Sequence, residues 1–164
     1  IMEITFKGTT VQLEGSELKV GDQAPAFALE NLAGKQITTD SLKGKVTIIS
    51  VFPKINTRVC DQQTRRFNEM ASTIEGVRLI SISKNDKDEL SDWCAAEGLD
   101  MEMLVDDGSF GKAFGVYMPE IDLLARSVFV LDETGLLGYK EILPEAGGPE
   151  PNYEAAVEAA KDLV

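Results

Sequence analysis

Hydrophobic residues along the chain form three nearly uninterrupted runs that predict buried β-strands. These runs are rich in β-branched and aromatic residues and cover 46–52, 77–82 and 127–131. A strand that is apolar on both faces is typical of the centre of a sheet covered on both sides. The segment 136–142 follows the turn 132–135, which predicts an antiparallel hairpin with the third run.

Between these runs the apolar residues recur at spacings of three and four, which predicts amphipathic helices. A short helix is expected ahead of the third strand, and Asn152 is a suitable N-cap for a helix at the C-terminal end. The longer predicted helices and their inward residues are 60–75 with Phe67, Met70, Ala71 and Ile74; 86–97 with Leu90, Trp93 and Cys94; and the C-terminal helix with Ala155, Ala156, Ala159, Ala160 and Leu163.

The order of these elements predicts the fold class. The first 20 residues alternate and break at Gly8, which indicates a small hairpin laid against the body. A right-handed β-α-β unit followed by a β-hairpin and a last helix is the thioredoxin-like arrangement. We therefore predict an α/β protein with a thioredoxin-like fold: a central mixed β-sheet flanked by helices, an N-terminal β-hairpin, and a single domain over 1–164.

Charge and composition remove several classes of function. The 164 residues are 43% hydrophobic and carry a formal net charge of −12. Such a charge repels phosphate backbones and anionic lipid, which disfavours nucleic-acid and membrane partners. No stretch approaches the roughly 20 apolar residues of a membrane span, and the N-terminal residues do not resemble a signal peptide. We expect a cytoplasmic protein that binds neither nucleic acid nor membrane.

The chain contains no histidine and only two cysteines. The absence of histidine excludes Ser-His-Asp and Cys-His catalytic pairs and every His-ligated metal. Two cysteines are too few for a four-cysteine zinc or iron–sulfur site. We expect neither metal nor cofactor, so the thiols are the candidate nucleophiles, and in the cytoplasm they should rest in the reduced state.

Cys60 follows the first predicted strand and opens the first long helix. Free N–H groups and the helix dipole favour a thiolate there, and the window 54–66 carries a net charge of +3. We expect Thr57 to cap the helix and to direct its hydroxyl at the sulfur or at a group bound there, and Pro53 to end the strand. The lack of a Cys-x-x-Cys pair argues against a disulfide reductase. A cysteine that is merely a small buried hydrophobic side chain remains the alternative at this point.

The spacing Pro53-x-x-x-Thr57-x-x-Cys60 resembles the signature of peroxiredoxins, which reduce hydroperoxides through a peroxidatic cysteine. The wider chain is similar to the thiol peroxidase branch of that superfamily, whose members are atypical 2-Cys peroxiredoxins. The similarity extends in order along essentially the whole chain. The matching stretches are 5–8, 20–27, 57–61, 67–69, 110–116, 124–132 and 151–153.

The resemblance implies a role for each of five residues. Cys60 would attack the peroxide and become a sulfenic acid, and Thr57 would hydrogen-bond the peroxide and the sulfur. Pro53 would shield the sulfenate from water. Arg126 would stabilise the thiolate and polarise the peroxide, which suits a fixed guanidinium beside a sulfur that loses charge. Cys94 would resolve the sulfenic acid as an intrachain disulfide.

The resemblance also implies partners: a hydroperoxide substrate, either hydrogen peroxide or an organic hydroperoxide, thioredoxin as the reductant, and a second copy in a homodimer. Ile55, Tyr117 and Met118 are expected near the rim of the site, where they could supply the dimer interface. Two alternatives stay open. One is a peroxiredoxin that does not use Cys94 for resolution, and the other is a non-catalytic thioredoxin-fold redox sensor or holdase.

The implied disulfide would join two different helices. A disulfide needs Cα atoms within about 7 Å of each other, and two well-packed helices on one sheet seldom provide that spacing. We therefore expect the bond between Cys60 and Cys94 to require local unwinding around one or both cysteines.

Overall fold

The computed structural model describes residues 2–164, which form eleven strands and four α-helices. The strands are β1 (Glu3–Phe6), β2 (Thr9–Gln12), β3 (Ala28–Glu30), β4 (Gln36–Thr38), β5 (Val46–Val51), β6 (Val77–Ser83), β7 (Met103–Val105), β8 (Tyr117–Met118), β9 (Leu123–Leu124), β10 (Ser127–Leu131) and β11 (Leu137–Ile142). The helices are α1 (Arg58–Ala71), α2 (Lys87–Glu97), α3 (Ser109–Ala113) and α4 (Tyr153–Leu163).

Five strands form the central sheet, in the spatial order β11-β10-β5-β6-β7. Strands β5, β6 and β7 run parallel, while β10 lies antiparallel to both β5 and β11. All six residues of β5 are buried, as expected for a strand covered on both faces. The predicted mixed sheet is confirmed, and so is the hairpin formed by its last two strands.

Two apolar clusters cover the two faces of this sheet. On one face α1 and α4 pack through Phe67, Val157 and their neighbours. The other face is covered by α3 and by the hairpins β1–β2 and β3–β4. On that second face Phe27, Phe110 and Phe129 make edge-to-face contacts, an arrangement that suits the charge distribution of aromatic rings. The predicted flanking helices and N-terminal hairpin are therefore confirmed.

The structure differs from the sequence prediction mainly at short elements. The first helix begins at Arg58 and ends at Ala71, so the predicted inward residue Ile74 lies beyond it, ahead of a turn at Gly76 with φ +85°. Strands β3, β4, β7, β8 and β9 have only two or three residues each, too few for a periodic signal. Ile55 and Met118 are buried within the chain, so the expectation that they form a dimer interface is wrong.

Side-chain caps fix where two of the helices begin. The Asp86 carboxylate accepts a hydrogen bond from the backbone N–H of Glu89, whose side chain accepts one from the N–H of Asp86, forming a capping box before α2. The Asn152 side chain accepts from Ala155 at the start of α4, which confirms the predicted cap. Among the described residues, no helix combines the length and apolar character that a membrane crossing requires.

The capping box predicts a measurable contribution to stability. Asp86→Ala removes one of its two hydrogen bonds and should lower the free energy of unfolding by about 1 kcal/mol. Urea unfolding followed by circular dichroism measures this change. Asp92→Ala, in the exposed middle of α2, is the matched control and should have little effect. Equal destabilisation by both substitutions would show that the cap contributes nothing specific.

Candidate active site

The register of the sheet brings two distant parts of the sequence together. Cys60 lies in the first turn of α1, which follows β5 after the loop 52–57. Arg126 immediately precedes β10, and Ser127 at the start of β10 pairs with Val51 at the end of β5. Because the two strands are antiparallel, the start of one lies beside the end of the other. Cys60 and Arg126 therefore meet at the carboxyl end of β5.

The Arg126 guanidinium is buried against the Cys60 sulfur, with only 2% of the residue exposed. Its Nη1 donates to Gln63 Oε1 at 2.8 Å, and its Nη2 donates to Cys60 Sγ at 3.4 Å and to the Ala146 carbonyl at 3.1 Å. Among the described residues no carboxylate forms an ion pair with Arg126. The sulfur is thus the only one of these three acceptors that can carry a compensating negative charge.

Gln63 holds this guanidinium in place and was not singled out from the sequence. Its Nε2 donates to Ser50 Oγ at 2.9 Å and to the Val51 carbonyl at 3.1 Å, both on β5. These two bonds orient the amide so that its oxygen faces Arg126. Gln63 lies three residues after Cys60, a spacing that places both on one helix face. That spacing was a signal in the sequence.

Thr57 occupies the N-cap position of α1 but does not cap the helix. Its hydroxyl donates to the Lys54 carbonyl at 2.9 Å, so the expected capping hydrogen bond is absent and that expectation is wrong. The hydroxyl also donates to the loop and not, as predicted, to the Cys60 sulfur. The hydroxyl proton is bound within the loop, while the Asp61 carboxylate accepts from the N–H of Asn56 at 2.8 Å. Thr57 therefore leaves the N–H groups at the positive end of the helix uncapped near Cys60.

A cleft of about 310 Å³ opens above the sulfur. It brings together four of the five residues predicted for the site: Pro53, Thr57, Cys60 and Arg126. Cys60 is only 1% exposed, so a ligand would reach its sulfur through the cleft. The remaining lining residues, which the sequence did not indicate as a group, are Phe6, Lys7, Lys54, Arg58, Val59, Leu123, Ala146 and Gly147.

Cys94, the fifth predicted residue, does not line this cleft. It lies on α2, and both cysteines are free thiols in the same apolar cluster. Its sulfur is 3.5 Å from the sulfur of Met103, and burial raises the pKa of the Cys94 thiol. This environment keeps Cys94 protonated. The other buried members of the cluster are Phe52, Ile55, Leu90, Trp93 and Met103.

Two further contacts connect the parts of the chain that carry the cysteines. Asn85 Oδ1, ahead of α2, accepts hydrogen bonds from the N–H of Ile55 at 2.9 Å and from Ser83 Oγ at 3.0 Å. Arg65 on α1 forms an ion pair with Glu97 on α2, and its guanidinium lies 5.8 Å from the centre of the Trp93 ring. Hydrogen bonds and an ion pair therefore connect the neighbours of Cys60 to those of Cys94.

The chain is similar to known proteins along its whole length. A thiol peroxidase from Bacillus subtilis is 53% identical over 99% of this chain and 98% of its own length. A thiol peroxidase from Listeria monocytogenes is 48% identical over 97% of this chain and 98% of its own length. Among solved structures, a peroxiredoxin-like protein from Aquifex aeolicus superimposes with a TM-score of 0.90 at 29% identity, covering 100% of this chain and 98% of that one.

The fold extends to more distant proteins. A thiol peroxidase from Chromobacterium violaceum superimposes with a TM-score of 0.88 over 99% of this chain and 97% of that one, at 15% identity. The model of the AhpC/TSA family matches residues 20–140, a stretch that contains Cys60, Arg126 and all of the central sheet except the last two residues of β11. The chain therefore belongs to the AhpC/TSA family, and its thioredoxin-like fold is that of the peroxiredoxins.

Proposed function

We propose that this protein, a thiol-dependent peroxidase by its family and its full-length relatives, reduces hydrogen peroxide and organic hydroperoxides at Cys60. The observation that carries this mechanism is the contact between Cys60 Sγ and the buried guanidinium of Arg126, which forms no ion pair with a carboxylate among the described residues. A cation held beside a sulfur, at the bottom of a cleft, suits a thiolate nucleophile.

In the first step the Cys60 thiolate attacks the terminal oxygen of the hydroperoxide. The S–O bond forms as the O–O bond breaks, so sulfur is oxidised by two electrons and the peroxide is reduced. The leaving alkoxide or hydroxide takes a proton from solvent and departs as alcohol or water. Cys60 is left as a sulfenic acid.

The surrounding residues act on the charge that moves during this step. Arg126 faces the sulfur and stabilises negative charge as it passes towards the leaving oxygen. Gln63 is a positioning residue that fixes Arg126. Because the Thr57 hydroxyl donates its proton to the backbone carbonyl of Lys54, the Thr57 oxygen is free to accept a hydrogen bond from the hydroperoxide. Pro53 has no N–H and covers the sulfenate against water.

In the second step Cys94 attacks the Cys60 sulfur. The S–S bond forms, the S–O bond breaks, and water leaves with the thiol proton. Both cysteines are buried in helices, so their neighbourhoods must unwind locally before the sulfurs can bond. A dithiol then reduces the disulfide, and we assign this role to thioredoxin in the cytoplasm. We also propose that the protein acts as a homodimer.

Substituting the second cysteine separates the two steps. Cys94→Ser should react with peroxide at the wild-type rate, because Cys60 acts alone in the first attack. It should lose turnover coupled to thioredoxin, thioredoxin reductase and NADPH, and Cys60 should accumulate as sulfenic and then sulfinic acid by mass spectrometry. Cys60→Ser, the control, should not react at all. Normal coupled turnover of Cys94→Ser would show that another group resolves Cys60. Wild-type protein that oxidises without turning over would indicate a redox sensor.

The proposed roles of Arg126 and Thr57 predict how conservative substitutions at each position change the rate of reaction with peroxide. Arg126→Lys should slow the reaction with peroxide by about 10²-fold, because a point charge cannot replace a guanidinium that donates to three acceptors. Thr57→Ser retains the hydroxyl and should retain most activity, whereas Thr57→Val should not. Stopped-flow measurement of the first step tests both. Near-wild-type rates in Arg126→Lys and Thr57→Val would mean that both roles are misassigned.

The disulfide predicts a spectroscopic change at Trp93, the only tryptophan. Unwinding around Cys94 would remove Trp93 from its buried position, where it is 4% exposed and lies beside Arg65. Its fluorescence should therefore differ between the dithiol and disulfide forms. Peptide mass spectrometry of the oxidised protein should find one bond between Cys60 and Cys94 within a chain. A bond between two Cys60 residues of different chains would contradict the scheme.

A further inference from the structure

The N-terminal hairpin is attached to the active site through one short loop, 143–147, that follows the last strand of the central sheet. Strand β1 pairs with β2 on one side and, on its other side, forms a bridge from Thr5 to Glu145 in this loop. The loop begins beside the site, because the N–H of Leu143 donates to the Arg126 carbonyl at 3.0 Å. The hairpin therefore contacts the segment that borders Arg126.

The peptide group of Ala146 lies between β1 and the Arg126 guanidinium. Its carbonyl accepts from Arg126 Nη2 at 3.1 Å, and its N–H donates to the Thr5 carbonyl at 2.8 Å. The Thr5 N–H donates to the Pro144 carbonyl at 2.9 Å, so β1 binds the loop on both sides of Glu145. Because Ala146 is fully buried, water cannot take the place of these partners.

The side chains of Thr5 and Glu145 add a second set of contacts. The Glu145 carboxylate accepts hydrogen bonds from the Thr5 hydroxyl and from the backbone N–H groups of Lys7 and Gly147. The bond from Thr5 contributes most to holding the pKa of Glu145 below its usual value. The carboxylate is therefore charged at neutral pH, which makes it a strong acceptor. It connects the loop, through Gly147, to the hairpin, through Thr5 and Lys7.

Arg126 depends on the Ala146 carbonyl for its orientation towards Cys60. The guanidinium is planar, so its N–H groups have fixed directions relative to one another. Nη1 is held by Gln63, while Nη2 donates both to the Ala146 carbonyl and to the Cys60 sulfur. If the carbonyl shifts, the guanidinium can turn and the N–H directed at the sulfur loses its alignment. A hydrogen bond weakens steeply when alignment is lost.

We propose, on the basis of the proposed function, that Thr5 and Glu145 are positioning residues for the reaction of Cys60 with peroxide. Together they fix the Ala146 carbonyl, which in turn fixes the Arg126 guanidinium against the sulfur. Neither residue lines the cleft, so both act through Arg126. The N-terminal hairpin thus supports the active site, although it lies outside the central sheet.

A contribution to stability alone is the alternative, since hydrogen bonds between a hairpin and a loop also stabilise a fold. The two roles differ in how their effects combine with Arg126→Lys. A residue that acts through the guanidinium loses its effect on the reaction rate when the guanidinium is absent. A general loosening of the site would instead add to the effect of Arg126→Lys.

The test measures the second-order rate constant for oxidation of Cys60 by hydrogen peroxide, using rapid mixing of the reduced full-length protein followed by mass spectrometry. Thr5→Val replaces the hydroxyl by a methyl group and should slow the reaction about fivefold. Thr5→Ser keeps the hydroxyl and should keep the rate. Thr10→Val is the matched control and should react at the wild-type rate. Thr10 lies opposite Thr5 on β2, is exposed, and forms no side-chain hydrogen bond among residues 2–164.

Variants of Glu145 separate position from charge. Glu145→Gln keeps an oxygen that can accept from the N–H groups of Lys7 and Gly147, so it should retain most of the rate. Glu145→Ala should slow the reaction about fivefold. If Glu145→Gln were as slow as Glu145→Ala, the charge itself would be responsible and the positioning role would be overturned. This pair also carries the test if circular dichroism shows that Thr5→Val does not fold.

Double variants decide between positioning and stability. In the Arg126→Lys background, Thr5→Val and Glu145→Ala should each slow the reaction by less than about twofold. A further slowing as large as in the wild-type background would overturn the proposal. So would wild-type rates in both single variants, or equal slowing by Thr10→Val. Wild-type protein that fails to react with any hydroperoxide would instead contradict the proposed function.

Discussion

The site is built around a buried positive charge, that of Arg126, which has no acidic partner among residues 2–164. Removing a guanidinium from water is costly unless other groups compensate for it. Here a glutamine amide, a backbone carbonyl and the Cys60 sulfur surround Arg126. The first two are neutral, so the sulfur is the one of these three acceptors that can carry a negative charge. The same contact would support the nucleophile that we propose at Cys60.

The central sheet fixes the positions of the groups that contact the Cys60 sulfur. Gln63 is fixed by two hydrogen bonds to the end of β5, and Arg126 enters from the neighbouring strand β10. Both strands are fully buried, so neither can shift without disturbing the core. The cleft opens at the carboxyl end of β5, the edge at which open α/β sheets commonly bind ligands.

Long, regular patterns in the sequence were sufficient to predict four of the five strands of the sheet, its flanking helices and the position of Cys60. Short strands such as β7, and the cleft residues Phe6 and Lys7, depend on tertiary contacts that leave no local periodic signal. Thr57 stood where a cap was expected, yet its hydroxyl bonds the Lys54 carbonyl inside the loop. Gln63 shares a helix face with Cys60 by its spacing, but its role depends on partners on β5 and at Arg126 that only the fold brings near.

The shared cluster around Cys60 and Cys94 links packing to redox chemistry. Its members are buried in the dithiol form, and the local unwinding that we propose for the disulfide form would remove some of these apolar contacts. By a thermodynamic cycle, packing free energy lost on oxidation favours reduction by the same amount. Each 1.4 kcal/mol raises the two-electron potential by about 30 mV. The hydrophobic core would thus make the proposed disulfide easier for a dithiol to reduce.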